Sequence, residues 1–214
     1  MDGPARRVRL AQARLYLVVE ARPHGRDPDD LLAAALRGGV DIVQLRDKEL
    51  ADDALVAAAE PFRRLCAAAG ALFVLNDRPD LVDACGADGV HVGQEDAGPA
   101  EARRLVGSDR LVGVSTHSRA QIETATGVDY IGVGTIFATP TKPENGAAGL
   151  ELVRVAAAVA RLPWFAIGGI GLEEARAAVA AGAERVAVVR AIRDAPDPEA
   201  AARALRAVLT HPAG

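Results

Sequence analysis

GGVDIVQL, residues 38–45, recurs in altered form as CGADGVHV (85–92), TGVDYIGV (126–133) and AGAERVAV (181–188). Each copy places a glycine, then an acidic residue two positions on, then a short and mostly apolar run. The glycine suits the left-handed position that ends a helix. The run suits a strand buried on both faces. Working outward, the strand candidates are residues 15–20, 41–45, 71–75, 89–92, 111–114, 130–134, 164–167 and 185–189. An alanine-rich helical stretch follows each, from 28–37 to 199–209 at the end. Strict alternation of strand and helix predicts a parallel sheet in an α/β fold. Eight such units predict a closed (β/α)8 TIM barrel, a single domain over residues 1–214, with an open doubly wound sheet as the alternative. The four copies precede strands two, four, six and eight, as doubled units would. A common solution for the loops that lead into strands would leave the same pattern.

The chain has 214 residues, is half hydrophobic and carries a net charge of −4. No clustered basic surface suggests nucleic acid, and no apolar run reaches the ~20 residues of a bilayer span. The expectation is no nucleic-acid partner, no membrane and a cytoplasmic location. Homo-oligomerisation is left open. Residues 15–19 are too short for the apolar part of a signal peptide. Cys66 and Cys85 lack metal-ligand spacing and read as reduced core residues. Arg6, Arg7 and Arg9 read as a frayed basic terminus.

A barrel of this kind builds its active site at the C-terminal ends of its strands. There the sequence places Gln44, Arg46 and Lys48 after strand two and Asn76, Asp77 and Arg78 after strand three. Gln94, Glu95 and Asp96 follow strand four; Ser115, Thr116, His117 and Ser118 follow strand five. The loop IFATPTKPENGAAG, residues 136–149, follows strand six, with Thr139, Thr141 and Lys142 between stiffening prolines. Arg46, Lys48 and Lys142, if they converge, match a polyanion such as diphosphate; surface salt bridging of Lys48 to Glu49 or Asp52 is the plainer role. Asp77 and Asp96 end neighbouring strands and suit Mg²⁺, or each caps the helix that follows. Gly168 and Gly169 after strand seven, with Val189 and Arg190 after strand eight, lie where barrels bind phosphate through backbone N–H groups. His91 reads as structural. His117, on the rim, is the one candidate acid or base.

Six motifs in this order, QLRDK, LNDRPDL, ADGVHVGQEDA, GVSTHS, DYIGVGTIFATPTK and AIGGI, resemble the thiamine-phosphate synthase family over residues 15–192. The resemblance implies a (β/α)8 barrel. It implies an Mg²⁺-assisted transferase that joins hydroxymethylpyrimidine diphosphate to hydroxyethylthiazole phosphate, releasing diphosphate. It also implies roles. Gln44, Arg46, Lys48, Asn76, Ser115 and Lys142 would contact the pyrimidine diphosphate, with Arg46, Lys48, Ser115 and Lys142 serving catalysis. Asp77 and Asp96 would hold Mg²⁺. Thr139, Thr141, Gly169, Val189 and Arg190 would contact the thiazole phosphate. The chain departs from the usual family pattern at Glu20, Thr135 and Arg190, where aspartate, proline and serine are common. Asp194, four residues beyond Arg190, offers that guanidinium a helical partner.

The alternatives are a thiazole tautomerase-like relative using His117, a non-catalytic barrel binding a thiamine precursor, and a sugar-phosphate isomerase on the same fold. The first two have no need of the Arg46–Lys48 cations or the Asp77–Asp96 pair. The last needs a clearly placed base.

Overall fold

The computed structural model describes residues 1–94, 98–138 and 147–210. Eight parallel strands close into a barrel in sequence order: β1 (Leu15–Val19), β2 (Ile42–Leu45), β3 (Leu72–Asn76), β4 (Gly89–Val92), β5 (Leu111–Thr116), β6 (Tyr130–Val133), β7 (Trp164–Ile167) and β8 (Val186–Val188). β8 returns to pair with β1, so no edge is left open. The closed barrel, not the open sheet, is the architecture. All eight predicted strands form, with ends shifted by at most two residues.

Ten helices accompany them among the described residues. They are α1 (Gly3–Gln12), α2 (Asp29–Arg37), α3 (Asp52–Ala69), α4 (Val82–Cys85), α5 (Pro99–Val106), α6 (Arg119–Thr124), α7 (Gly149–Val159), α8 (Leu172–Ala180), α9 (Arg190–Arg193) and α10 (Pro198–Thr210).

Side chains alternate along each strand, so one strand serves two cores. Leu15, Leu17 and Val19 of β1 face the helices, in a continuous core with Val43, Leu45, Phe73 and Leu75. Tyr16 and Val18 face inward, with Ile42, Leu72, Val74, Leu111, Tyr130 and Phe165. Cys66 and Cys85 are free and buried, as expected.

The glycine does the same work in all four repeats, and the acidic residue in three of them. Gly39, Gly86, Gly127 and Gly182 have φ of 99°, 64°, 73° and 107°, the region that glycine alone adopts readily. The acidic residue that follows caps the preceding strand. Asp41 accepts from the Leu15 amide (2.9 Å), Asp88 from Phe73 (3.1 Å) and Asp129 from Val112 (2.8 Å). Glu184, one methylene longer, instead pairs with Arg14 (2.8 Å).

The first residues correct the expectation of a frayed terminus. They form α1, whose first turn is capped by the Asp2 carboxylate, accepting from the Ala5 amide at 2.9 Å. Leu10 and Ala13 enter the inward core and cover its floor. Arg6 is buried and pairs with Asp88 (2.9 Å) and Asp109 (2.7 Å), and Arg7 pairs with Asp129 (2.8 Å). These partners stand on β-strand approaches more than 80 residues away, so the local sequence reads as solvated charge.

Candidate active site

Along β2, β3 and β5, inward positions pass from apolar to polar toward the C-terminal end. On β2 the order is Ile42, Gln44, then Arg46 and Lys48 in the loop beyond; on β3 it is Leu72, Val74, Asn76; on β5, Leu111, Gly113, Ser115. The change occurs where the barrel opens to a cavity of about 710 Å³ at its C-terminal mouth. Gln44, Arg46, Lys48, Asn76, Asp77, Ser115, Gly169, Val189 and Arg190 all line it. Asp96, Thr139, Thr141 and Lys142 lie outside the described residues.

Asp77 adopts φ 58°, an unusual left-handed conformation for a residue with a side chain. Its amide donates to the His91 carbonyl (2.9 Å), which holds the turn at the top of β3. The carboxylate accepts from Asn76 Nδ2 at 2.6 Å and lies 3.6 Å from Lys48 Nζ. It does not cap a helix; Arg78 precedes the 3₁₀ turn Pro79–Leu81. Nor is Lys48 drawn to Asp52, whose carboxylate takes Arg78 at 2.6 Å. Among the described residues no three His, Cys, Asp or Glu side chains cluster as metal ligands. Mg²⁺ commonly takes one or two carboxylates and completes its shell with substrate phosphates and water. Asp77, a hard donor on the cavity wall, fits that kind of site.

Across the mouth, Gly168 and Gly169 have φ of 105° and 65°. A Cβ on Gly169 would lie 2.7 Å from the Phe137 carbonyl oxygen and 2.8 Å from that of Ala138. The turn after β7 therefore packs backbone to backbone against the start of the loop after β6. The Phe137 amide donates to Gly168 O (2.9 Å), and the Ala148 and Gly149 amides donate to Thr135 O (2.8 Å) and Ile136 O (3.0 Å). Both flanks of residues 139–146 are thus tied to the mouth. Glu174 of α8 accepts from the Gly171 amide at 3.1 Å and steadies the same turn.

The expected Arg190–Asp194 pair is not made. Asp194 takes Arg193 (2.6 Å) and His24 (3.0 Å) instead. Arg193, which also reaches Glu20 at 2.9 Å, lines the cavity as a cation that sequence reasoning missed. His117 Nδ1–H donates to the Gly134 carbonyl, which ties the ring to the top of β6. The cavity floor holds two more residues that sequence reasoning passed over, Tyr16 and Tyr130. Burial pushes both phenols well above their ordinary pKa, so both stay protonated.

The family profile described as Thiamine monophosphate synthase matches residues 15–192. The chain belongs to this family. The thiamine-phosphate synthase of Saccharopolyspora erythraea is 48% identical, with 98% of each chain covered. That of Thermobifida fusca is 48% identical, with 96% of each covered. Among solved structures, the thiamine phosphate pyrophosphorylase of Pyrococcus furiosus superposes with a TM-score of 0.86 at 29% identity, covering 97% of this chain and 100% of that one. A 3-hexulose-6-phosphate synthase, at a TM-score of 0.65 and 21% identity, shares the fold alone. Thiamine-phosphate synthases are transferases of thiamine biosynthesis, and the chain is an enzyme of that class. No helix among the described residues is long and apolar enough to cross a membrane.

Proposed function

We propose that the barrel mouth condenses hydroxymethylpyrimidine diphosphate with hydroxyethylthiazole phosphate, giving thiamine phosphate and diphosphate. One observation carries this reading. A single cavity, large enough for two small ring substrates, is lined by Arg46, Lys48, Asn76 and Asp77 from neighbouring strand ends and by the glycine turn and Val189–Arg190 from β7 and β8. The first group suits a diphosphate, and the second offers backbone N–H groups to a monophosphate.

In this reading Arg46, Lys48 and Lys142 stabilise charge on the departing diphosphate. Asp77, with Asp96, would hold Mg²⁺, which when bound supplies further neutralisation of the diphosphate oxygens. Thr139, Thr141, Gly169 and the backbone of Val189–Arg190 take the thiazole phosphate and hold its ring against the pyrimidine methylene. The methylene C–O bond breaks and its electron pair leaves with diphosphate. The resulting cation is stabilised by the aminopyrimidine ring, and the thiazole nitrogen lone pair forms the new C–N bond. No proton has to move, so no base is required, and His117 is left to position the β6 end. The barrel contributes mainly orientation and charge.

Purified protein mixed with both substrates and Mg²⁺ should release thiamine phosphate and diphosphate in equal amounts, read by chromatography and mass. Absence of thiamine phosphate under those conditions would sink the proposal.

A further inference from the structure

Two buried hydroxyls in an apolar barrel interior need an explanation, because an unbonded buried hydroxyl costs free energy that phenylalanine avoids. Both are bonded, in one chain across the barrel. Gln44 Nε2 donates to Tyr16 Oη at 2.7 Å; Tyr16 and Tyr130 hydroxyls lie 3.0 Å apart; Tyr130 Oη lies 3.2 Å from His91 Nδ1; His91 Nε2 lies 3.0 Å from Ser115 Oγ. Five strands, β2, β1, β6, β4 and β5, contribute one member each.

Each hydroxyl has one proton, so these bonds are not independent. With Gln44 Nε2 donating, one order places a single proton on every link. Tyr16 donates to Tyr130, Tyr130 donates to His91 Nδ1, and His91 Nε2–H donates to Ser115. Gln44 then keeps its carbonyl oxygen as an acceptor, and Ser115 keeps its own proton as a donor. Both residues line the cavity. Reversing either end requires turning the Gln44 amide, both hydroxyls and the histidine tautomer together.

We propose that Tyr16, Tyr130 and His91 are positioning residues that hold the Gln44 carbonyl as an acceptor and leave the Ser115 proton available toward the substrate ring. This rests on the pyrimidine-diphosphate reading above. A 4-aminopyrimidine offers an amino donor and a ring-nitrogen acceptor, the complement of that pair. The 4-oxo analogue carries N–H and C=O in their place; its C=O is mismatched against the Gln44 carbonyl, while Ser115, with one lone pair left, can still accept from its N–H. The chain therefore selects the amino ring through Gln44, and breaking it frees the Gln44 amide to turn and take either.

The test compares the 4-amino and 4-oxo pyrimidine diphosphates with wild type, Tyr130→Phe and Tyr16→Phe. Phenylalanine keeps the ring and removes only the link. In both variants the preference for the amino form in kcat/KM should narrow by at least about tenfold, the scale of one neutral hydrogen bond. KM for the thiazole phosphate should stay within about twofold. Adding Tyr130→Phe to Tyr16→Phe should leave the remaining preference nearly unchanged, because the two act on Gln44 through one path. Calorimetric binding of the two diphosphates gives the same ratio without turnover. A wild-type protein that shows the ratio but makes no thiamine phosphate therefore overturns the condensation and leaves the chain standing. A folded variant pair that keeps the full preference, or loses activity equally on both forms with a lowered Tm, overturns the chain.

Discussion

Asp77 combines two roles that substitution can separate. Its φ of 58° is tolerated by aspartate but preferred by glycine. Its carboxylate faces Lys48 and Asn76 at the cavity. Asp77→Gly should therefore keep or slightly raise thermal stability, within about 1 kcal/mol, while turnover in Mg²⁺ falls by roughly two decades or more, the order expected for one lost electrostatic group. A variant that melted early yet turned over normally would reverse the assignment. Arg190 presents the opposite case, a side chain at a position where the proposed phosphate contact is made by backbone. With Asp194 taken by Arg193 and His24, the guanidinium has lost its expected helical partner, but at the water-facing mouth it loses little by staying hydrated. Arg190→Ser should raise KM for the thiazole phosphate by less than about tenfold, under ~1.4 kcal/mol, with kcat nearly unchanged. A larger rise that shrinks with added salt would show that the side chain holds the phosphate.

Elements meet through single residues whose size is set by their neighbours. Gly113 of β5 faces the Tyr130 ring of β6. A Cβ there would lie 2.1 Å from Tyr130 Cζ. Gly113→Ala must displace that ring, at about 1–3 kcal/mol for an overpacked core. Chemical denaturation should show a lower midpoint, and the chain from Gln44 to Ser115 should be disturbed with it. An unchanged midpoint would mean that the ring moves freely. α1 is fastened by charge as well as packing. Arg6→Ala would strand the partly buried Asp88 carboxylate, at about 3 kcal/mol. For a chain of this size that lowers Tm by roughly 6–12 °C. If α1 were a passive terminus, the melting curve would not move.

For the whole molecule, acid is the informative stress. The Arg193 guanidinium beside Asp194 and the Arg78 guanidinium beside Asp80 hold both carboxyls below the ordinary carboxylate range. A carboxyl whose pKa is lower folded than unfolded adds stability that is fully present above the unfolded value, about 3.9, and is lost as pH falls through the folded value. These pairs should contribute no change between pH 7 and 5 and a loss below about pH 4. Thermal melts across that range check it. Asp194→Asn should soften the acid decline, and an unaltered decline would discount the pair.

Strand positions, their parallel order and the rim residues were legible in the sequence because each is a local signal. Buried parallel strands leave short apolar runs, glycine marks the turns into them, and chain order alone carries Gln44, Asn76 and Ser115 to one end of a barrel. The acidic residue in each repeat was visible, but not the capping of the previous strand by Asp41, Asp88 and Asp129, since those bonds join residues 15 to 26 positions apart. Other features depended on closure. Arg6 became a buried anchor because Asp88 and Asp109 arrive beneath the barrel. Tyr16 and Tyr130 read as strand apolars until β1 and β6 faced one interior and set their hydroxyls 3.0 Å apart. Arg193 reached the cavity because the short α9 turns it toward Glu20. Local pattern sets which residues form an element and which end carries the chemistry. Pairings between side chains on distant segments arise only when the sheet closes, because no periodicity in the chain encodes which buried polar group will meet which.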